Sequence, residues 1–527
     1  MDAGTPGGEE ESGAGGRQKT HGVSARGCGG LGCYDGYDVA VIGAGVVGCA
    51  IARELARFEL RVCVIEKEMD VSFGTSCRNS GVLHSGINYE PGTNRAELSV
   101  AGNSMMDALC SELKVPIKRI GKLTVALDER DMPGLRRLHE QGLANGVADM
   151  EMLDGSGLQK IQPGVAGILG LHTPTSAIIS PYGLTIALAE NAQRNGVKFF
   201  LGREVLGVRM KSAESRVPFA ISLDDGGEIR ASAVINSAGL GADLVSRSLG
   251  VDAPPIWACR GEYYVLDRRI EGELRTLVYP VPGQNDPGLG VHLTPAVDGN
   301  ILIGPSAEYI PGEERESYRV TGAVLARLRD EGRRMLPGLA ASDFIRNFAG
   351  NRPKLAPPEV GGNVDFRIEE APGFPGFIQL LGIESPGLTS SPAIAERVRE
   401  MVVSRLGARR KENFTPRRPG FAGRFIDLPE GIRGDMARDE PEYGEIVCRC
   451  ELVTKKEIRD AFENPLGART LLGIKYRTRA MMGRCQGGFC VPRIVRMLRE
   501  EYGYGPDDFL LKGRRSPLFS CGARWDS

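Results

Sequence analysis

Four cysteines stand in two close pairs toward the C-terminal end of the chain: Cys448-Arg449-Cys450 and, after a polar helical stretch, Cys485-Gln486-Gly487-Gly488-Phe489-Cys490. Iron-sulfur clusters are commonly held by four cysteine thiolates, and two short paired segments can close on a compact inorganic core. Structural zinc favours two to four residues between both members of each pair, which is not the pattern here. The spacing therefore favours an iron-sulfur site over zinc or unligated thiols. Glu451 to Phe462 and Val491 to Glu501 read as amphipathic helices, each following a cysteine pair. Their N-termini would face the cluster and offset its negative charge. Arg449, Arg484 and Arg493 either serve the same end or are ordinary exposed charges. A centre of this kind passes electrons on, so the chain needs a place where electrons enter.

That place begins at Tyr37. Asp38-Val39-Ala40-Val41-Ile42 reads as a buried parallel strand, Gly43-Ala44-Gly45-Val46-Val47-Gly48 turns into a helix running through Ala56, and Arg61 to Glu66 is a second strand ending in an acid. Gly43 permits the tight turn, Gly45 lets the backbone approach a pyrophosphate, and Gly48 lets helix and strand pack closely. The helix N-terminus offers free N–H groups to phosphates, and Glu66 stands where a ribose contact is expected. A lone glycine triplet would say little. Strand, turn, helix, strand and terminal acid together specify a dinucleotide site.

At 527 residues the chain has room for about three structural units with large cores. A formal charge of -1 gives no reason to expect nucleic acid or an anionic membrane surface as partner. The longest apolar run, Val39 to Ala52, is too short to span a membrane and is broken by the glycine turn. The 12 cysteines are mostly isolated, as in reduced intracellular proteins, and Cys49, Cys63, Cys110 and Cys259 read as small core residues. A cytoplasmic location is expected. Glu9, Glu10 and Glu11 argue against an organelle transit peptide, while Arg17, Lys19 and Arg26 keep that alternative open. Residues 1–36, rich in Gly, Ser and charge, are expected to be a disordered tail, with Cys28 and Cys33 as tail thiols and a metal or disulfide pair as the alternative.

Glu204 to Val208 and the turn Asp224-Asp225-Gly226-Gly227 predict a small sheet beside the nucleotide fold. Ala233 to Ala242 is another strand entering a glycine-rich turn, either near a cofactor or simply a strand-to-helix connection. Phe374 to Leu381 predicts a late strand, and Gly382 to Pro392 leads into a helix expected to begin near Ala393. Its N-terminus is suited to stabilising negative charge.

These passages, with Thr75 to Gly86, Arg260-Gly261-Glu262-Tyr263-Tyr264 and Gly290 to Pro295, resemble the FAD-dependent glycerol-3-phosphate dehydrogenase and L-2-hydroxyglutarate oxidase group of the D-amino-acid-oxidase superfamily, over about residues 37–410. The C-terminal cysteines resemble the bacterioferritin-associated-ferredoxin type of [2Fe-2S] domain. The four-residue interval between Cys485 and Cys490 departs from the small free-standing ferredoxins and matches the dehydrogenase-attached variety. The resemblance implies FAD at the first site and a [2Fe-2S] cluster on Cys448, Cys450, Cys485 and Cys490. It implies an α/β FAD-binding Rossmann-like domain with an α+β substrate domain, plus a small helical [2Fe-2S]-binding domain. The FAD-binding segments would be about 37–85, 175–255 and 345–410, and the substrate segments about 86–174 and 256–344. A linker at 411–442, the cluster domain at 443–503 and a tail at 504–527 complete the division.

By the same resemblance Gly43, Gly45, Gly48 and Glu66 hold the ADP half of FAD, with Val205 near the adenine. Ser76, Asn79 and Ser80 lie along the pyrophosphate and flavin, and Gly239, Gly382, Gly387 and Leu388 flank the cofactor; small residues of these types also cap helices and form turns without touching ligand. Hydride transfer from a carbon bearing a hydroxyl calls for a protein base and for cations on the substrate anion. Among only five histidines, His292, on a strand, is the expected base, and His84 a substrate contact, an alternative base or a point of covalent flavin attachment. Arg352 and Arg260 are the expected anion-binding cations. The implied partners are a small anionic hydroxy substrate and an electron-acceptor protein or quinone-linked partner. Glycerol 3-phosphate is the first substrate expectation. L-2-hydroxyglutarate, or an electron-transfer subunit without substrate chemistry of its own, is the alternative.

Overall fold

Tyr37–Ile42 (β1) is an almost wholly apolar run, and the fold buries it on both faces. In the computed structural model, which describes residues 36–212, 214–283, 288–362, 364–420 and 423–520, β1 lies between two parallel neighbours. One is Val62–Glu66 (β2), the other Glu228–Asn236. The expected N-terminal tail, with Cys28 and Cys33, lies outside the described residues apart from Gly36.

The eight-stranded sheet continues from β2 to Lys198–Leu201, and from Glu228–Asn236 to Phe377–Leu381 in parallel and to Phe219–Leu223 and Val205–Met210 in antiparallel. The Asp224 to Gly227 hairpin is therefore part of the nucleotide sheet and not a separate one beside it. Strand alternation splits the core. Val39, Val41, Val62 and Val64 face the helices Val46–Leu55 (α1), Asn94–Leu113, Pro181–Arg194 and Gly387–Leu406. Ala40, Ile42, Cys63 and Ile65 face Val208, Phe219, Ile221 and Val251. Cys49, Cys63, Cys110 and Cys259 are buried free thiols.

A second, nine-stranded sheet runs in the order Glu308–Tyr309, Trp257–Leu266, Ile301–Gly304, His292–Pro295, Leu277–Pro280, Lys122–Ala126, Leu169–Thr173, Glu151–Asp154, with Phe344–Lys354 also paired to Trp257–Leu266. Two domain boundaries move accordingly. Phe344–Lys354 stays in this sheet, ten residues past the expected change. Asn94–Leu113 packs on Gly387–Leu406 and belongs with the nucleotide-binding half.

The late helix starts at Gly387, six residues before Ala393, although Pro392 lies inside it. Proline removes the amide that would bond to the carbonyl four residues earlier. Here Ser391 Oγ donates to that carbonyl, Leu388 O, at 2.9 Å, so the helix tolerates the break.

Beyond Leu406 the chain is not a free linker. Arg418 pairs with Glu190, Thr415 is bonded to Asn195, and Glu430–Asp439 is helical. The cysteine module pairs Ile446–Cys448 with Val453–Thr454 and adds helices Lys455–Glu463, Leu471–Thr478 and Cys490–Tyr502 around one small core. The expected tail from 504 joins that core through Tyr504, Phe509, Leu518 and Phe519. Residues 521–527 lie outside the described residues. No helix among the described residues is long and apolar enough to cross a membrane.

Candidate active site and cysteine centre

One cavity of about 410 Å³ runs from the edge of β1 and β2 to the nine-stranded sheet, a size typical of cofactor and small-molecule sites. Its nucleotide end is built by strand-to-helix geometry. Gly43 takes φ +100°, and a Cβ there would lie 2.6 Å from Ser237 O. A Cβ on Gly48 would lie 2.0 Å from Gly43 O, so this glycine closes α1 onto the strand behind the cavity without lining it. Gly45 caps α1 with no side chain of its own, and the start of the helix, Gly45 to Val47, lines the cavity. Glu66, raised by burial, accepts the Ala44 amide at 2.7 Å and that of Glu68 at 2.9 Å. Ser76 Oγ accepts from Val46 N at 2.9 Å.

Gly43, Gly45, Glu66, Ser76, Asn79, Ser80, Val205, Gly239, Gly387 and Leu388 all line this cavity. Gly382, at φ +71°, turns the chain beneath Leu355 and does not. Gly387 begins the second helix whose uncapped N-terminus meets the cavity. Two helix N-termini at the cavity wall and a glycine cradle whose Gly43 has no room for a Cβ fit a dinucleotide pyrophosphate and an electron-rich ring.

At the other end stand His84, His292 and Arg352. His292 Nδ1 lies 2.9 Å from the Gly290 carbonyl oxygen, an acceptor only, so Nδ1 carries the ring hydrogen. Burial, reinforced by Lys122 and Arg352, pulls this imidazole down to about 3 against the opposing Gly290 bond. The ring is therefore neutral, and its buried Nε2 is a bare lone pair with no hydrogen-bond partner among the described residues. Tyr279 stacks on it, centroids 3.8 Å apart. His84 is likewise lowered by burial; its Nε2 meets Ser385 Oγ at 3.3 Å, and Ser385 Oγ meets Tyr89 OH at 3.2 Å.

Arg352 sits between Gly261 and Gly288, where a Cβ would stand 3.3 and 3.1 Å from its terminal nitrogens. It donates to Ser306 O at 2.6 Å, and among the described residues no carboxylate pairs with it. Arg260 is a correction. It does not line the cavity but pairs with buried Glu262 at 3.4 Å. Residues 260 and 262 share one face of the strand, while Gly261 and Tyr263 show the other to the cavity.

Tyr89, Arg95 and Tyr279, which no motif in the sequence marks, also line the cavity. Lys122 is buried behind the two histidines, donates to Asn88 Oδ1 at 3.0 Å, and is pushed down to about 7 by burial. A lysine inside the buried strand Lys122–Ala126 was the available signal. Arg95 and Lys354 both pair with Glu384, at 3.2 and 2.9 Å.

The four cysteines of the C-terminal module converge. The Cys490 thiol bonds to Cys448, drawing Cys448 down to about 6 and pushing Cys490 up, and Cys450 contacts Cys485 in the same way. No three of His, Cys, Asp and Glu among the described residues are gathered to hold one metal ion. Thiols meeting two and two suit a two-metal cluster. Cys448 and Cys490 are buried, Cys450 and Cys485 exposed.

The module is docked on both domains. Arg477 grips Asp70 through both terminal nitrogens at 2.5 and 2.9 Å, and Arg479 reaches Asp298 at 2.6 Å, Glu451 and Asn300 at 2.9 Å. Tyr182 stacks on Tyr476, centroids 4.7 Å apart. Tyr182 OH meets Met482 Sδ at 3.6 Å, close in sequence to Cys485, and Tyr476 also contacts Phe73 and Cys77 beside cavity-lining Ser76.

A family model described as FAD dependent oxidoreductase matches residues 38–401, and one described as BFD-like [2Fe-2S] binding domain matches residues 446–500. A glycerol 3-phosphate dehydrogenase of Caloramator mitchellensis is 40% identical over 470 residues, 89% of this chain and 95% of that protein. A mitochondrial L-2-hydroxyglutarate dehydrogenase of Arabidopsis thaliana is 34% identical over 404 residues, 68% of this chain and 82% of that one. The solved structure of dithionite-reduced L-alpha-glycerophosphate oxidase from Mycoplasma pneumoniae with FAD bound superposes with a TM-score of 0.67 at 29% identity, over 74% of this chain and 100% of that chain. The chain belongs to the FAD-dependent oxidoreductase family of D-amino-acid-oxidase type, and its C-terminal module is a BFD-like [2Fe-2S] domain.

Proposed function

We propose that the protein oxidises the secondary hydroxyl of glycerol 3-phosphate to give dihydroxyacetone phosphate, and that the electrons leave through the C-terminal module to a partner. Bound FAD supplies the hydride acceptor and the [2Fe-2S] cluster a one-electron carrier. Arg352, free of any carboxylate among the described residues, takes the phosphate through parallel hydrogen bonds. His292 Nε2 accepts the hydroxyl proton as the carbinol hydrogen departs as hydride. The Gly290 carbonyl fixes the tautomer that leaves Nε2 bare, and Tyr279 holds the ring plane. The Arg352 guanidinium at this end of the cavity favours an anionic substrate over a neutral polyol.

The observation that carries this reading is the neutral Nε2 of His292, without a hydrogen-bond partner among the described residues, in the same cavity as an Arg352 guanidinium that no carboxylate among the described residues pairs with. Glycerol 3-phosphate is preferred because the 470-residue match to the Caloramator enzyme is longer than the 38–401 span and so extends beyond the oxidoreductase segment, whereas the Arabidopsis match covers 68% of the chain. The test is an anaerobic substrate screen. Glycerol 3-phosphate should bleach the flavin and yield dihydroxyacetone phosphate, with L-2-hydroxyglutarate at equal concentration at least tenfold slower. Faster bleaching by L-2-hydroxyglutarate would reassign the substrate, and no bleaching by either would remove both.

A further inference from the structure

The exposed pair of cluster ligands is set in a patch of unpaired positive charge. Cys450 and Cys485 are open to solvent, and so are Arg449, Arg493 and Arg496. Arg449 and Arg493 both stack on Phe489, their guanidinium carbons 4.5 and 4.4 Å from the one ring centroid. Arg496 follows Arg493 by three residues on the helix Cys490–Tyr502, which places both on one face. None of these three arginines forms an ion pair among the described residues, in a molecule where most arginines do. Neighbouring Arg484, which pairs with Asp267, extends the patch toward the nine-stranded sheet. From Arg479 to Arg499 the sequence carries five arginines and no acid. Glu451, the carboxylate nearest in sequence to Cys450, is buried and held by Arg479 and Arg424. The chain as a whole is nearly neutral, at -1.

We infer that this face is the docking surface for an acidic one-electron carrier protein. The inference rests on the proposed exit of electrons through the C-terminal module. Two stacked guanidinium groups on a half-buried ring form a pre-organised positive platform beside the solvent-facing thiolates. Such a platform raises encounter rates with an oppositely charged partner and turns its redox centre toward the exposed cluster edge. Each encounter moves one electron, oxidising the reduced cluster and reducing the carrier, so two encounters clear the pair of electrons taken from one substrate molecule. A protein fits better than a lipid surface because the patch surrounds the electron exit and presents a single aromatic ring, itself covered by two arginines.

The test uses the full-length holoprotein with glycerol 3-phosphate and two probe proteins, cytochrome b5 as an acidic carrier and cytochrome c as a basic one, with a neutral benzoquinone as control. Cluster reduction by substrate is first followed by its electron paramagnetic resonance signal. If the cluster stays oxidised, the functional reading fails before docking is in question. Given a reduced cluster, cytochrome b5 reduction should fall roughly tenfold as ionic strength rises from about 20 to about 200 mM. It should fall about tenfold at low salt in R449E/R493E, be restored in R449K/R493K, and stay above the rate for cytochrome c in the wild type. Flavin bleaching and benzoquinone reduction should be unchanged in both variants. The inference is overturned if cytochrome b5 reduction is independent of salt and of both substitutions. It is equally overturned if all acceptors slow together with a shifted cluster potential, or if anionic phosphatidylglycerol vesicles bind the wild type but not R449E/R493E while cytochrome b5 reduction is unaffected.

Discussion

A single hydrogen bond, Nδ1–H of His292 to the Gly290 carbonyl, decides which ring nitrogen can act as base. Replacing His292 by Gln should slow substrate-dependent flavin reduction by about 10²- to 10⁴-fold while FAD remains bound, as stopped-flow bleaching and flavin content would report. Lys122 makes a pH-dependent prediction. Its amine protonates near 7 in the fold and near 10.4 in an unfolded chain. Between those values the unfolded chain binds the extra proton, so stability rises with pH; this contribution is complete above about 10.4 and gone below about 7. K122M should flatten that rise in chemical denaturation between pH 7 and 9.5, and should not weaken the protein at pH 7, since it removes a buried charge. His84 and His292 were legible because histidine is scarce and both sit in recognisable segments. Arg260 was misread because a motif names a strand but not which face each residue shows, and one step along a strand reverses it. Lys122 was legible in principle as a charge inside an apolar strand, yet its Asn88 partner lies 34 residues away.

The elements that shape the cofactor end follow from local sequence. Gly43, Gly45 and Gly48 turn β1 into α1, and the distances a Cβ would make explain each one. Gly48→Ala should abolish FAD retention through gel filtration and destabilise the fold, because its methyl group would fall 2.0 Å from backbone oxygen that cannot move without opening the strand. By contrast, the start of the helix at Gly387 was hidden by Pro392, whose effect is offset by a hydroxyl bond that only the folded geometry shows. The helix Leu471–Thr478 was also missed. It is short, and its apolar Leu471 and Ile474 alternate with Gly473, Lys475 and Arg477, so no periodic stripe marks it.

At the scale of the whole molecule, the C-terminal module is held by contacts between residues 179 to 407 positions apart, which no local pattern announces. Arg477 and Asp70 are both buried, and removing one partner leaves the other charge without compensation. Arg477→Met should therefore cost about 3 to 5 kcal/mol of docking and expose the segment around 411–442 to limited proteolysis, while flavin bleaching by substrate is retained. The Tyr182–Tyr476 stack lies between the cavity wall and the cysteine loop, so the proposed exit of electrons through the C-terminal module would depend on the same docking. The most direct measurement mixes the anaerobic holoprotein with a limiting amount of glycerol 3-phosphate and follows flavin absorbance and the cluster's paramagnetic signal together. Prompt flavin bleaching should be followed by a reduced-cluster signal that scales with substrate added. A flavin that stays oxidised, or one that bleaches beside a cluster that never gains an electron, would contradict the proposed function.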